Sequence, residues 1–287
     1  MNIQWFPGHM TKTGREMTAD VKLVDLIVEL IDARIPRSSR NPDLDRLTQG
    51  KPRLLVLTKI DLADPKVTAL WEQEYADRGQ RFVSVNAMTG QGVKRVFAAC
   101  EQTLEEKIRR DQEKGMVNRK IRMMVAGVPN VGKSSLINRL SGRSSTKTGD
   151  RPGVTRGKQW IRLKNGFELL DTPGILWPKF EQQETGLHLA FTGAVKDDVV
   201  DAEELACELI GSLRGRYATA LTERYKLETL SNENYGVLEQ ISRNRGFMMR
   251  GGEADTRRGA AVLLDEFRGG VLGKISLELP DGKGDSV

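Results

Sequence analysis

Only two cysteines, Cys100 and Cys207, and two histidines, His9 and His188, occur among 287 residues. Two cysteines in no ligand spacing exclude a disulfide framework and a Cys-type zinc centre, and they fit a reducing cytosol. So few histidines exclude a His-rich metal site. No uninterrupted apolar run reaches the ~18 residues that a membrane-spanning helix needs. The best, Val21 to Ile31, is broken by Lys22, Asp25 and Glu29. The start of the chain has no basic stretch followed by an apolar one, so no secretory leader and a cytoplasmic location are expected. The 29 glycines have no collagen-like period and point instead to turns that need glycine.

What is present is a chain with 38% hydrophobic and 29% charged residues, enough apolar content for a core. Its length suits one large domain or two ordinary ones. The net charge of +6 is unevenly shared. Residues 1–180 carry 32 Lys and Arg against 20 Asp and Glu, whereas residues 181–287 carry 13 against 19. A basic first part is the electrostatic footprint of a nucleic-acid partner, or simply a solvated face.

Short runs rich in β-branched residues punctuate the first part: Leu23–Ile31, Arg53–Leu57, Phe82–Val85, Ile121–Ala126, Trp160–Leu163 and Phe167–Leu170. Helical stretches at Pro65–Arg78 and Val93–Arg110 lie between some of them. This alternation predicts an α/β fold with a mainly parallel sheet and helices on both faces. Past residue 180 the pattern becomes helical. A capping box at Asp201-Ala-Glu-Glu opens a helix over Glu203–Leu213, followed by helices at Tyr235–Asn244 and Ala254–Arg268. A short strand over Gly273–Leu279 is expected to close the chain. The expected division is residues 1–180 and 181–287.

Gly127-Val-Pro-Asn-Val-Gly-Lys-Ser134 matches the phosphate-binding pattern G-x-x-x-x-G-K-[ST], with a strand before it and a helix after it. Backbone N–H groups around Val131 and Gly132 can curl round phosphate oxygens. Lys133 supplies a charge to the outer phosphates, and Ser134 supplies an oxygen to Mg²⁺. Ser135 continues the helix. Asp171-Thr-Pro-Gly174 ends a later strand, where Asp171 can hold Mg²⁺ through water and Gly174 can approach a γ-phosphate. Thr155, in the Gly/Pro-rich loop between, can complete the Mg²⁺ shell. Together these elements describe a nucleotide switch.

Thr58-Lys-Ile-Asp61 follows another strand. The Asp61 carboxylate can accept from both the ring N–H and the exocyclic amine of guanine, a donor pair that adenine lacks. Ser84-Val-Asn86-Ala87 follows the next strand, and a backbone N–H near Ala87 can donate to the guanine carbonyl.

These elements resemble those of the Ras-type (TRAFAC) GTPases in rotated order, the base motifs preceding the phosphate loop, as in a circularly permuted GTPase. Trp5-Phe-Pro-Gly-His9-Met, Asp32-Ala-Arg-Ile-Pro36, Ser39-Arg-Asn-Pro42, Gly251-Gly-Glu253 and Asp265-Glu-Phe-Arg-Gly269 narrow the match. Over nearly its whole length the chain is similar to the YlqF/RbgA group of ribosome-assembly GTPases. The resemblance implies binding of GTP and GDP, and GTP hydrolysis coupled to late maturation of the large ribosomal subunit. A precursor of that subunit and its rRNA are the implied partners, with no membrane and no obligate homo-oligomer. Two further readings are a non-catalytic RNA-binding module that GTP merely stabilises, and a small-substrate P-loop kinase, which the T-K-x-D and D-T-P-G pair disfavours.

Three departures shape the expected chemistry. Thr58 stands where the wider pattern favours Asn, so the amide that ties base motif to phosphate loop is expected to be lost. Ile175 stands where Ras-type enzymes place a water-orienting Gln. His9, in a turn-like segment, is the candidate to orient that water, with Asp20, Asp25 and Asp32 as alternatives. His188 reads as a packing or partner-contact residue. Asn130 has a side-chain carbonyl suited to a monovalent cation, and the resemblance implies potassium-stimulated hydrolysis. In the helical part Arg243, Arg245, Arg250, Arg257 and Arg258 surround Phe247, a pattern suited to rRNA.

Overall fold

A computed structural model of the chain describes residues 18–48, 50–116, 119–142, 159–171, 180 and 182–282. Six strands form one sheet: β1 (Leu26–Asp32), β2 (Arg53–Thr58), β3 (Phe82–Ser84), β4 (Ile121–Gly127), β5 (Gln159–Arg162) and β6 (Phe167–Asp171). Their spatial order is β3-β2-β1-β4-β6-β5. All neighbours run parallel except β5, which pairs antiparallel with β6. Every residue of the central strand β1 is buried, as a strand covered on both faces requires.

Alternation along the strands explains the two layers. Ile27 and Ile31 share a face with Met124 and Leu55 by register, and on this face lie Leu44, Val67, Trp71 and Tyr75. Leu44 opens the short α1 (Leu44–Thr48), and the other three belong to α2 (Pro65–Asp77). Asp64 caps α2 by accepting from the Lys66 N–H, with Pro65 in the first turn, where its missing N–H costs nothing. On the opposite face pack α3 (Val93–Thr103) and α5 (Lys133–Ser141), and Phe97 of α3 meets Phe167 at 5.1 Å between ring centroids. The sheet is therefore covered on both faces, as expected.

The expected single helix Val93–Arg110 is two. It breaks at Leu104, whose buried side chain closes α3, and α4 (Glu105–Glu113) begins with Glu105 and Glu106. Carboxylates favour a new helix N-terminus. Helix α4 buries no residue, as its charge density implied.

The described residues divide into two compact units: one holds those between 18 and 171 with 278–282, the other those between 180 and 277. The described part of the second unit is helical: α6 (Gln183–Phe191), α7 (Ala202–Leu213), α8 (Ala218–Tyr225), α9 (Asn234–Asn244) and α10 (Thr256–Arg268). Asp201 caps α7 by accepting from the N–H groups of Glu203 and Glu204. Leu205, Leu209, Ile210 and Leu213 of that helix recur at helical spacing and are buried. Helices α6 and α8 begin without a side-chain cap, so the sequence carries no start signal for them. Among the described residues no helix is long and apolar enough to cross a membrane.

The strand expected over Gly273–Leu279 does not form; residues 274–280 have no regular structure. Side chains of the first unit hold its end instead. The buried carboxylate of Glu278 accepts from the backbone N–H groups of Arg37 at 2.6 Å and Ser38 at 3.0 Å. The Trp71 indole donates to the Glu278 carbonyl at 3.0 Å. The helical unit is thus joined covalently to the first unit at both of its ends.

Candidate nucleotide site

Strand order reverses between β1 and β4, and in an open α/β sheet the carboxyl ends of strands flanking such a point form a ligand crevice. Three of the sequence-predicted elements converge there. The phosphate loop leaves β4 at Gly127, the Thr58–Asp61 segment leaves β2, and Asn86 and Ala87 follow β3.

Gly127 lets the phosphate loop press against β1: a Cβ there would lie 2.8 Å from the Leu30 carbonyl oxygen. Gly132 has φ of 103°, a left-handed conformation, and caps α5. Non-glycine residues also take positive φ at this crevice: Asn130 at 56° and Lys59 at 57°. Asn tolerates that region, but for Lys it stores strain, which collects at ligand sites. The Lys133 ammonium donates to the carbonyls of Gly127 at 3.1 Å and Val128 at 2.9 Å, so it arches over the loop it follows. Ser134 and Ser135 sit half-buried in the first turn of α5.

With Thr in place of Asn, a hydroxyl rather than an amide ties base motif to phosphate loop. The buried Thr58 hydroxyl lies 2.6 Å from the Val131 carbonyl oxygen and 3.0 Å from that of Ile31. A hydroxyl rotates to reach what an amide reaches by length, so Thr58 still joins β2, β1 and the loop. Arg139 of α5 adds a second tie by donating to the Ala87 carbonyl at 3.0 Å and to that of Met88. Asn86 shapes the loop between them, its side-chain oxygen accepting from the N–H groups of Met88 and Thr89. Neither the half-buried Asp61 carboxylate nor the Ala87 N–H has a hydrogen bond among the described residues. These are the acceptor and donor that a guanine edge needs.

A buried charge cluster that the sequence reading did not find supports Lys59. Asp32, at the end of β1, takes Nε and a terminal nitrogen of the fully buried Arg34 at 3.0 and 2.8 Å and the Arg34 N–H at 3.0 Å. Its other contact is the Lys59 ammonium at 3.1 Å. Burial opposes ionisation of Asp32, but Arg34 and Lys59 outweigh it and hold the carboxyl well below the usual range. Burial likewise pulls Lys59 down, with Asp32 acting against it. The Asp32-Ala-Arg34 spelling was visible, yet nothing local said that it faces Lys59, 27 positions later. Both carboxylate oxygens of Asp32 are thereby engaged by Arg34 and Lys59. Asp25 lies at the far end of β1, away from the crevice, and Asp20 precedes the strand. His188 is buried in α6, its ring 6.3 Å from that of Phe191.

Asp171 ends β6 in register with Val125 of the phosphate-loop strand. His9, Thr155 and Gly174 lie outside the described residues, as does Ile175.

A strand-order switch point carrying a phosphate loop on one side and a guanine-shaped edge on the other, with the base motifs first in the chain, defines a circularly permuted P-loop GTPase. Residues 122–231 match the family described as 50S ribosome-binding GTPase. The chain is 46% identical over 287 residues to the ribosome biogenesis GTPase A of Bacillus cereus, covering 100% of this chain and 97% of that one. It is 35% identical to mitochondrial ribosome-associated GTPase 1 of Ictalurus punctatus, covering 96% and 92%. The solved structure of GNP-bound YlqF from T. maritima is similar with a TM-score of 0.66 at 26% identity, covering 94% and 99%. The chain belongs to the ribosome biogenesis GTPase A family, and it is a GTP hydrolase that binds GTP and GDP.

Proposed function

We propose that the protein is a checkpoint in late assembly of the large ribosomal subunit: it engages a nearly mature precursor with GTP bound and leaves on hydrolysis. The observation that carries this is the crevice at β1 and β4, where Thr58 and Arg139 lock the guanine-shaped edge to the phosphate loop. A site so built holds base and phosphates in fixed register, which a switch needs if one lost phosphate is to be felt.

In this reading Asp61 and Ala87 select guanine, with Thr58, Lys59 and Asn86 framing the base. Val131, Gly132 and Lys133 grip the phosphates, with Ser135 beside them. The hydroxyls of Ser134 and Thr155 and the carboxylate of Asp171 suit Mg²⁺, a hard cation that takes oxygen ligands. Mg²⁺ supplies charge neutralisation on the outer phosphates. Asn130, held at the loop tip with positive φ, is suited to K⁺, and Gly174 to the γ-phosphate. Ile175 has no group to orient water, so His9 takes that task once the particle orders its segment, a positioning effect. Residues 181–287 serve as the RNA-gripping domain. There Arg258 stacks on Phe247 at 4.4 Å, and Arg243, Arg250 and Arg257 are exposed. The reaction takes place in the cytoplasm, where ribosomal particles are. The non-catalytic alternative loses ground to family membership.

Sedimentation with large ribosomal subunits tests the proposal. Co-migration with a non-hydrolysable GTP analogue and release with GDP are expected; equal retention in both states would overturn it. Potassium should raise turnover above sodium at matched ionic strength.

A further inference from the structure

At the opposite pole of the sheet from the nucleotide crevice, a cavity of about 450 Å³ opens at the amino ends of β1 and β4. Strand β4 is 7 residues long, so roughly 20 Å separate the cavity from the phosphate loop. Six cations line it: Lys22, Lys51, Lys107, Arg119, Lys120 and Arg122.

Carboxylates set into the fold hold four of these cations in place. Asp25, nearly buried, takes Lys107, the Arg119 guanidinium at 3.1 Å and the Arg122 N–H at 2.9 Å. Glu168 of β6 takes Lys120 at 2.7 Å and Arg122 at 3.2 Å. Arg119 also meets Asp111 at 2.8 Å, and Lys51 donates to the Val24 carbonyl at 2.7 Å. Three carboxylates therefore orient four of the six cations, a carbonyl holds Lys51, and the cluster keeps an excess of positive charge. The row continues outward. Arg162 is exposed and pairs in register with Glu168, while Trp160, on the same side of β5, is 39% exposed with the Arg122 guanidinium 5.1 Å over its ring.

We infer that this pole is a second RNA contact, in which the pre-oriented cations take backbone phosphates and Trp160 stacks on a base. Fixed cations attract any polyanion; an exposed indole beside them adds the π surface that unpaired bases use and acidic peptides do not. The inference rests on the ribosomal particle being the partner and says which face of the first unit meets its RNA. Because the face lies at the far end of the strands, binding there is independent of nucleotide contacts.

The test uses the full chain with a GTP analogue, purified large ribosomal subunits and a short RNA hairpin, titrated against KCl. The variant Lys22→Gln/Arg119→Gln/Lys120→Gln leaves Lys107 on Asp25 and Arg122 on Glu168. Each lost phosphate contact lowers the slope of log K against log salt by roughly 0.7–0.9, so the slope should fall by about 2. Affinity at low salt should drop about tenfold or more. Trp160→Ala should weaken hairpin binding about fivefold or more with the slope unchanged. GTP affinity and turnover without RNA should match the unmodified protein. Should the triple variant fold poorly, Lys22→Glu alone, at an exposed position, must still lower affinity and slope. Unchanged affinity and slope in the variants, while the unmodified protein binds subunits, would overturn this surface only. Displacement of the hairpin by poly-glutamate as readily as by unlabelled RNA would overturn the RNA assignment. Failure of the unmodified protein to bind subunits would overturn the ribosomal reading itself.

Discussion

Replacing Thr58 by Val deletes one hydroxyl and almost no volume, and it isolates the tie between base motif and phosphate loop. The hydroxyl stands 2.6 Å from the Val131 carbonyl and 3.0 Å from that of Ile31, all of it buried. Losing it removes one hydrogen bond and leaves a buried carbonyl poorly satisfied, a cost of about 1–3 kcal/mol. Only the share that pre-orders the phosphate loop reaches the nucleotide, because Ile31 belongs to the sheet whether or not ligand is bound. Taking about 1.4 kcal/mol as that share, affinities for GTP and GDP should fall together about tenfold. Guanine preference over adenine should persist, since Asp61 is untouched, and Thr58→Ser should bind nearly as well as Thr58. Fluorescent-nucleotide titration measures both quantities, and thermal unfolding of the free protein measures the remainder. Affinity within twofold of the unmodified protein would refute the tie; lost guanine preference would show that Thr58 reads the base.

Asp61→Asn should weaken GTP and favour a xanthine nucleotide, because an acceptor becomes partly a donor; nucleotide competition measures this. In the helical unit, Glu266 accepts from Arg224 at 2.9 Å and from the Tyr225 hydroxyl at 2.8 Å and also pairs with Arg245. The Arg224 bond holds its carboxyl below the ordinary 4.5 against the opposing effect of burial. Its stabilisation is therefore complete above that pH and is lost as pH falls through the lower folded value. Glu266→Gln should flatten that part of the acid limb in urea unfolding and destabilise near neutrality. Glu278→Ala leaves the Arg37 and Ser38 N–H groups without their acceptor, so the tail should undock at a cost of about 2–4 kcal/mol. Faster amide exchange at those two residues would report it.

Local pattern made most of this architecture legible. The strands were found because β-branched runs are short and punctuated, and the phosphate loop because glycine spacing, Lys133 and Ser134 are dictated by phosphate itself. The Asp201 cap was readable because capping is a contact between near neighbours. What stayed hidden depends on distant contacts. The Asp32–Lys59 pair spans two strands. The Glu278 anchor reaches back 240 positions to Ser38, so a segment with strand-like composition is held through its own carboxylate rather than a ladder. Helix α6 begins at Gln183 with no side-chain cap, which removed the usual start signal. The tie at Thr58 stayed hidden because the Val131 carbonyl it faces lies 73 positions away.

The most direct test of the central claim is multiple-turnover GTP hydrolysis by the purified full chain, with and without large ribosomal subunits, for the unmodified protein, His9→Ala and Lys133→Ala. Slow turnover alone and a large rise with subunits are expected. Lys133→Ala should abolish turnover. His9→Ala should keep its GTP affinity, lose most of the rise and remain on the particle. A rate that subunits do not change, or undiminished hydrolysis by Lys133→Ala, would contradict the central claim.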